Sequence, residues 1–167
     1  MKRILTPFIF ILFLSTLLSA QNIQVIPKPN EISLGNGNFN LNNECSLQYN
    51  SANKDVARIA GFFNEYLENV YNFKLKENGE GKSVQFKLIG HLNLGQEGYL
   101  LKVNNNSVII TASEPSGLFY GMQTLKQMLP LKAENGQLKL PVLDIKDQPR
   151  FAWRGNMLDV GRHFFPV

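Results

Sequence analysis

The hydrophobic and polar positions of the chain form two kinds of pattern, a two-residue alternation and a period of three to four residues. The alternation is typical of half-buried β-strands, because successive side chains of a strand point to opposite faces. It occurs first within residues 26–50, where Phe39, Leu41, Leu47 and Tyr49 are separated by polar residues. It returns in four later segments, residues 83–89, 98–103, 107–112 and 137–145.

Residues that restrict the backbone mark the turns of this β-rich part. Pro27 and Pro29 predict an extended lead-in, and residues 31–34 predict a short strand. Gly35-Asn36-Gly37 predicts a turn after that strand. Asn104-Asn105-Asn106 predicts a tight turn between two of the later strands, because Asn tolerates the left-handed backbone conformation.

The helical period appears first after residue 50. Ser51 or Asn53 can cap this helix, which we predict to end near Asn72. Its apolar stripe follows steps of three and four and predicts a helix with one buried face, formed by Val56, Ile59, Phe63, Leu67 and Val70.

A second helix is predicted after residue 112. Ser113 is its expected cap, Pro115 lies in its first turn, and Pro130 ends it. Its apolar face consists of Leu118, Met122, Leu125 and Leu129. Gly121 lies within this helix, and we expect it to allow a close approach to a neighbouring element.

The order of these elements predicts an α+β domain over residues 21–147, with two helices packed on one face of a mostly antiparallel sheet. Residues 148–167 differ, since an apolar, strand-like run is followed by Pro166, which suits the first turn of a helix. A parallel strand is buried only together with its crossover helix and the next strand. We therefore interpret 148–167 as the first strand of a truncated (β/α)8 barrel, with Phe151 and Trp153 exposed when the chain is isolated.

Residues 1–20 are predicted to be a signal peptide that is cleaved after Ala20. Lys2 and Arg3 precede an apolar run, and small residues precede the cleavage point. The apolar stretch is too short to span a bilayer comfortably, so no stable membrane span is expected after cleavage. The alternative is a retained N-terminal anchor. With cleavage, the protein is exported and is periplasmic, cell-surface or extracellular.

Composition and charge narrow the function classes. The formal net charge is +4, and the basic residues do not form a run in the sequence. Both observations argue against nucleic-acid binding. Cys45 is the only cysteine, so no internal disulfide is expected, and we interpret it as a small buried hydrophobe. Metal-ligand spacings and phosphate-binding glycine loops are absent from the sequence, so neither a metal nor another cofactor is expected.

A charged cluster follows the strand-like run of the second segment. The guanidinium of Arg162 offers a fork of donors that suits carboxylates, phosphates and paired sugar hydroxyls. In (β/α)8 enzymes the carboxyl ends of the strands carry the catalytic and binding residues. Asp159 can hold the arginine in place and His163 can orient the site; the alternative is an Arg–Asp pair that only stabilises the strand end. For Arg154 we expect a structural pair with Asp144 or Asp147.

Three stretches of the chain resemble glycoside hydrolase family 20, the β-N-acetylhexosaminidases. Residues 26–29, IPKP, with Phe39 resemble the opening of that family's N-terminal domain. Residues 107–129, SVIITASEPSGLFYGMQTLKQML, resemble its hairpin strand and second helix, although related domains precede several other glycosidase barrels. Residues 147–167, with PRFAWRG and LDVGRHFFPV, resemble the domain junction and the first barrel strand.

The resemblance implies an exported glycosidase that removes terminal non-reducing N-acetylglucosamine or N-acetylgalactosamine from oligosaccharides or glycans. Arg162 matches the arginine that binds ring hydroxyls of the terminal sugar, and Asp159 and His163 match the positions that support it. The family uses substrate-assisted retention, in which the sugar's acetamido oxygen attacks the anomeric carbon. An adjacent Asp-Glu pair assists, and this chain has no Asp-Glu dipeptide.

The chain therefore contains no expected catalytic residue, and we predict that it is inactive by itself. The alternative to an enzyme fragment is a non-catalytic, secreted α+β module that binds carbohydrate or acts as an accessory domain.

Overall fold

A computed structural model of the chain describes residues 23–157 and Gly161. These residues form an α+β fold with seven strands and two helices. The helices are α1 (Lys54–Tyr71) and α2 (Pro115–Met128). The strands are β1 (Glu31–Leu41), β2 (Ser46–Gln48), β3 (Lys76–Glu77), β4 (Ser83–Leu88), β5 (Tyr99–Val103), β6 (Ser107–Ala112) and β7 (Leu138–Asp147). Neither helix of the described residues has the length and hydropathy of a membrane span.

The sheet is mixed, with the strand order β1-β7-β5-β6-β4-β2-β3. Strand β7 pairs antiparallel with β1 and β5, and β5 pairs antiparallel with β6. The other half is parallel, since β4 pairs with β6 and β2, and β2 pairs with β3. The prediction of a mostly antiparallel sheet is therefore wrong. Helix α1 carries the chain back across the sheet from β2, so the next two strands, β3 and β4, run in the same direction as β2.

Helix α1 forms where the three-to-four-residue period predicts it. The Asn53 side-chain oxygen accepts hydrogen bonds from the backbone N–H groups of Asp55 (3.1 Å) and Val56 (3.2 Å), which confirms the predicted cap. Asn72 ends the helix in the left-handed conformation with φ 60°. Phe63 packs edge-on against Phe86 of β4, so the stripe faces the sheet, whereas Val70 is half exposed.

Helix α2 begins at Pro115, but the predicted cap is wrong. The N-cap residue is Glu114, and its side chain makes no capping hydrogen bond. The Ser113 hydroxyl instead donates to the carbonyl oxygen of Leu92 at 3.0 Å. Because Leu92 lies in the connection between β4 and β5, the serine fixes this connection against the start of the helix.

The predicted turn at Gly35-Asn36-Gly37 is also wrong, since β1 continues through it. The pairing with β7 shifts at this point: Leu34 faces Leu143, and Asn38 faces Pro141. Residues 35–37 thus lie opposite Val142 alone, which makes a β-bulge. Gly37 has φ 103°, a conformation that other residues rarely adopt, so the glycine permits the bulge.

The core lies between the two helices and one face of the sheet. Alternate residues of each central strand are buried, as in β6, where Val108, Ile110 and Ala112 are fully enclosed. Cys45 is 2% exposed, which confirms it as a buried apolar residue, and burial raises the pKa of its thiol. Strand β3 was not predicted; it has two exposed residues and therefore no alternation to detect.

Helix α2 packs closely against the sheet at Gly121, as the sequence predicts. A Cβ atom added at Gly121 would lie 2.5 Å from Cγ2 of Ile110 and 3.1 Å from Cδ2 of Tyr99. Real Cβ atoms do not come that close to a neighbouring side chain, so any larger residue must push α2 away from β5 and β6.

We expect Gly121→Ala to lower the free energy of unfolding by about 1–3 kcal/mol, because overpacking outweighs the gain in helix propensity. Gly61→Ala in α1 is the matched control, since nothing lies within 4 Å of its added Cβ. It should stabilise the protein by about 0.5–1 kcal/mol. Urea unfolding followed by circular dichroism measures both. Equal effects of the two substitutions would contradict the close packing of α2.

Candidate functional site

The predicted sugar-binding residue Arg162 and its supporting residues Asp159 and His163 lie outside the described residues. Their roles stay predictions. The structure does describe residues 147–157, which form the junction between the α+β domain and that predicted site. Residues 151–157 of the predicted barrel strand adopt no regular secondary structure. Phe151 and Trp153 are 71% and 89% exposed, as predicted for the isolated chain.

A groove of about 690 Å³ lies at this junction, between the lead-in, α2 and the end of β7. We call it the junction groove. Most of its lining is apolar or aromatic, and its residues include Val25, Ile26, Pro27, Tyr99, Tyr120, Pro149 and Phe151. Arg154 also lines the groove and supplies a positive charge there.

The lead-in, which consists of the residues just before β1, is hydrogen-bonded to α2 through the side-chain amide of Gln127. The backbone N–H of Ile26 donates to the Gln127 side-chain oxygen at 2.9 Å, and the amide nitrogen donates to the Ile26 carbonyl at 3.1 Å. An amide that both donates to and accepts from one residue fixes the position and the orientation of the bound backbone. The residues before β1 are therefore held against the same helix that lines the junction groove.

The end of β7 is hydrogen-bonded to the lead-in through Asp147. Its carboxylate accepts from the backbone N–H of Asn30 at 3.1 Å, and the Asn30 amide donates to the Gln148 carbonyl at 3.0 Å. The Tyr99 hydroxyl donates to the other carboxylate oxygen of Asp147 at 3.4 Å. It also shares a buried hydrogen bond of 2.6 Å with the Thr124 hydroxyl of α2. This network links the two ends of the domain.

Burial of Tyr99 has an electrostatic consequence. The phenol ring is 2% exposed, and burial raises the pKa of its hydroxyl above the ordinary value of 10.0. The nearby Asp147 carboxylate also raises this pKa, because two negative charges so close together repel. The phenol therefore stays protonated and continues to donate its hydrogen bond at moderately alkaline pH.

Arg154 has different partners from those predicted. Its Nη2 atom donates to a carboxylate oxygen of Glu97 at 2.9 Å and to the hydroxyl of Tyr120 at 3.2 Å. Its guanidinium carbon lies 5.6 Å from the centre of the Tyr120 ring. Asp144 pairs instead with Lys102 at 3.6 Å, and Asp147 holds Asn30.

The chain direction explains this correction. After Pro149 the chain leaves the sheet, and Arg154 reaches α2 and the connection between β4 and β5 rather than the side chains of β7. Glu97 and Tyr120 were not identified in the sequence, because no spacing or motif connects them to an arginine more than thirty residues away.

The chemistry of the junction groove is that of a structural interface. Its nearby carboxylates, Asp147 and Glu97, are each engaged by hydrogen bonds within the domain. Across residues 23–157 and Gly161, no group of three or more His, Cys, Asp or Glu side chains could hold a metal ion. Because both carboxylates are engaged within the domain, we interpret Asp147 and Glu97 as part of a frame for the chain that follows.

The family model described as "Glycosyl hydrolase family 20, domain 2" matches residues 22–148. The chain belongs to glycosyl hydrolase family 20, the family of glycosidases that contains the β-hexosaminidases. The resemblance noted in the sequence is thereby confirmed. The matched residues end at Gln148, beside the junction described above.

Known relatives agree with this membership. A beta-hexosaminidase of Porphyromonas gingivalis is 30% identical over 154 residues, which cover 88% of this chain and 20% of the relative. The family 20 β-N-acetylhexosaminidase of Streptomyces coelicolor superposes with a TM-score of 0.76 at 31% identity, covering 84% of this chain and 29% of that one. An exo-β-N-acetylglucosaminidase of Vibrio harveyi, solved with N-acetylglucosamine, gives a TM-score of 0.74 at 28% identity, covering 85% and 21%.

The chain thus spans about a fifth to a third of the length of these relatives. It corresponds to one part of a longer architecture.

The raised pKa of Tyr99 predicts how stability depends on pH. Above about pH 10 the phenol ionises in the unfolded chain but stays protonated in the fold, so the folded state binds more protons and stability falls as pH rises. Tyr99→Phe has no such group, so its free energy of unfolding should fall less steeply as pH rises. The two slopes should differ by up to about 1.4 kcal/mol per pH unit in this range. Urea unfolding of both proteins between pH 8 and pH 11 measures the difference. Parallel pH profiles would show that Tyr99 ionises equally in both states.

Proposed function

We propose that this chain is the N-terminal part of an exported β-N-acetylhexosaminidase. The longer enzyme hydrolyses terminal non-reducing N-acetylglucosamine or N-acetylgalactosamine residues of oligosaccharides and glycans. One observation carries the proposal: a family 20 domain 2 fold over residues 22–148 continues without a linker into the segment PRFAWRG and LDVGRHFFPV. Relatives that bear the name beta-hexosaminidase are several times longer than this chain, which supports a catalytic part beyond it.

The order of the segments suggests a separate role for each of them. Residues 1–20 direct export, residues 21–147 form the N-terminal domain, and residues 148–167 begin a (β/α)8 catalytic barrel. The exposed Phe151, Trp153 and Met157 support the last assignment, because large apolar side chains of this kind are normally covered by a partner surface.

The proposed mechanism is substrate-assisted retention, in which the acetamido oxygen of the sugar replaces an enzyme nucleophile. Within this chain, Arg162 binds the ring hydroxyls of the terminal sugar, and Asp159 and His163 hold the guanidinium in position. A charged donor fork suits this task, because hydrogen bonds from a charged group are stronger than those from a neutral one. The general acid and the residue that orients the acetamido group belong to the remainder of the enzyme.

The first prediction concerns the chain alone. The purified 167-residue chain should not hydrolyse a nitrophenyl N-acetylglucosaminide, because it lacks the Asp-Glu pair. General acid–base catalysis by itself contributes roughly 10²–10⁴-fold. The protein produced from the complete reading frame should hydrolyse the same substrate under the same conditions. Release of nitrophenol by the chain alone, or none by the complete protein, would contradict the proposal.

The second prediction concerns Arg162 in the complete protein. Arg162→Ala should lower kcat/KM by roughly 10- to 150-fold for each hydrogen bond lost, since bonds to a charged group are worth about 1.5–3 kcal/mol. Arg58→Ala is the matched control, because Arg58 forms an exposed pair with Asp55 within α1. That pair contributes little, so the control should keep its kinetics. If Arg162→Ala also retained normal kinetics, the arginine would be a structural residue of the strand end.

A further inference from the structure

We propose that Arg154, Glu97 and Tyr120 form a latch that fixes how the chain leaves the N-terminal domain and thereby positions Arg162. Arg154 is then a positioning residue for sugar binding. This inference rests on the proposed function, because it assigns the latch a role in the site that Arg162 is proposed to form.

The latch joins three separate parts of the described fold. Glu97 lies in the connection before β5, Tyr120 lies on α2, and Arg154 lies seven residues after the end of β7. The guanidinium meets a carboxylate, a hydroxyl and an aromatic ring at once, through the Glu97 oxygen at 2.9 Å, the Tyr120 hydroxyl at 3.2 Å and the Tyr120 ring centre at 5.6 Å. Three contacts of different direction hold a planar group in one orientation, which a single ion pair does not do.

This ion pair differs from the others in the described part of the chain. The side chains of Arg154 and Glu97 are 38% and 33% exposed. In the four other pairs both side chains are at least 51% exposed. Water and salt screen exposed pairs strongly, so the Arg154–Glu97 pair keeps more of its attraction than they do.

Among residues 151–157, Arg154 also provides the only side-chain hydrogen bonds to the domain. Within residues 151–157, no other side chain makes a hydrogen bond or an ion pair with the domain, and the large apolar side chains of Trp153 and Met157 are 89% exposed. The backbone of this segment is not held in a strand or a helix. The course of the chain beyond Pro149 therefore depends on where Arg154 is held.

The distance to Arg162 makes this anchor relevant to function. Arg162 lies eight residues after Arg154. With the latch closed, the chain from Arg154 to Arg162 spans at most about 26–29 Å. With it open, the last held residue is Gln148, and the fourteen residues to Arg162 span at most about 46–50 Å. An open latch therefore enlarges the space available to Arg162, and because a misplacement of about 1 Å at a substrate-binding group can cost on the order of 10²-fold in rate, sugar binding should weaken as well as stability.

The first experiment measures the latch in this 167-residue chain. Trypsin cleaves after Arg150 and after Arg154, and the ratio of the two initial rates, followed by mass spectrometry, reports how often Arg154 leaves its partners. Glu97→Ala and Tyr120→Phe should each raise cleavage after Arg154 relative to Arg150 several-fold. Glu68→Ala removes an ion pair of 2.7 Å between Glu68 of α1 and Lys74, which follows that helix, and serves as the matched control. An unchanged ratio in both junction variants would overturn the latch.

The second experiment measures its effect on Arg162 in the complete protein. Glu97→Ala should lower kcat/KM for a nitrophenyl N-acetylglucosaminide several-fold, whereas Glu68→Ala should not. If the latch acts through Arg162, then adding Glu97→Ala to Arg162→Ala should cause no further loss. Melting temperatures of all variants separate this effect from a change in stability alone.

The outcomes of the two experiments distinguish the latch, its positioning role and the proposed function from one another. Additive losses in the double variant, or a lower melting temperature with unchanged kcat/KM, would reduce Arg154 to a structural residue. A complete protein without any hydrolytic activity would remove the proposed function and the positioning role together. The cleavage ratio would still decide whether the latch exists.

Discussion

The pairing of β7 with β1 and β5 determines how the two ends of the domain meet. Residues 138–147 pair with β1 on one side and with β5 on the other. Strand β1 comes from the opposite end of the domain, so this pairing brings residues 31–41 beside residues 138–146. It also places Asp147 where it accepts the N–H of Asn30. The lead-in and the junction consequently lie side by side against α2, and the junction groove is a result of the strand order.

The sequence predicted the parts of the fold that depend on local periodicity. The stripe of α1, its Asn53 cap, the β5–β6 hairpin and the buried Cys45 are each determined by residues close together in the chain. The parts that it missed depend on contacts between distant segments. Alternation shows which face of a strand is buried but not the direction of its neighbour, so the parallel half of the sheet was mispredicted. The bulge at Gly37 likewise depends on the register with β7, and the Ser113 hydroxyl was taken by the distant Leu92 carbonyl.

Contacts between distant segments also limit the prediction of functional residues, as the junction shows. The motif around Arg154 was recognised, but its partners Glu97 and Tyr120 could be found only in three dimensions. Family membership identifies the domain and the class of enzyme, while the structure shows how the domain holds the segment that leads to Arg162. In the proposed enzyme the α+β domain serves as a frame. Asp147, Asn30 and Gln127 hold its two ends together, and Arg154 holds the chain where it leaves the domain.

We propose that this domain delivers Arg162 to the sugar-binding site of a β-N-acetylhexosaminidase. The decisive measurement is a crystal structure of the complete protein soaked with N-acetylglucosamine. We expect the Arg162 guanidinium to lie about 2.7–3.2 Å from ring hydroxyl oxygens of the sugar, with Arg154 still bound to Glu97. A sugar bound without contact to Arg162, or an Arg162 that pairs only with Asp159, would contradict it.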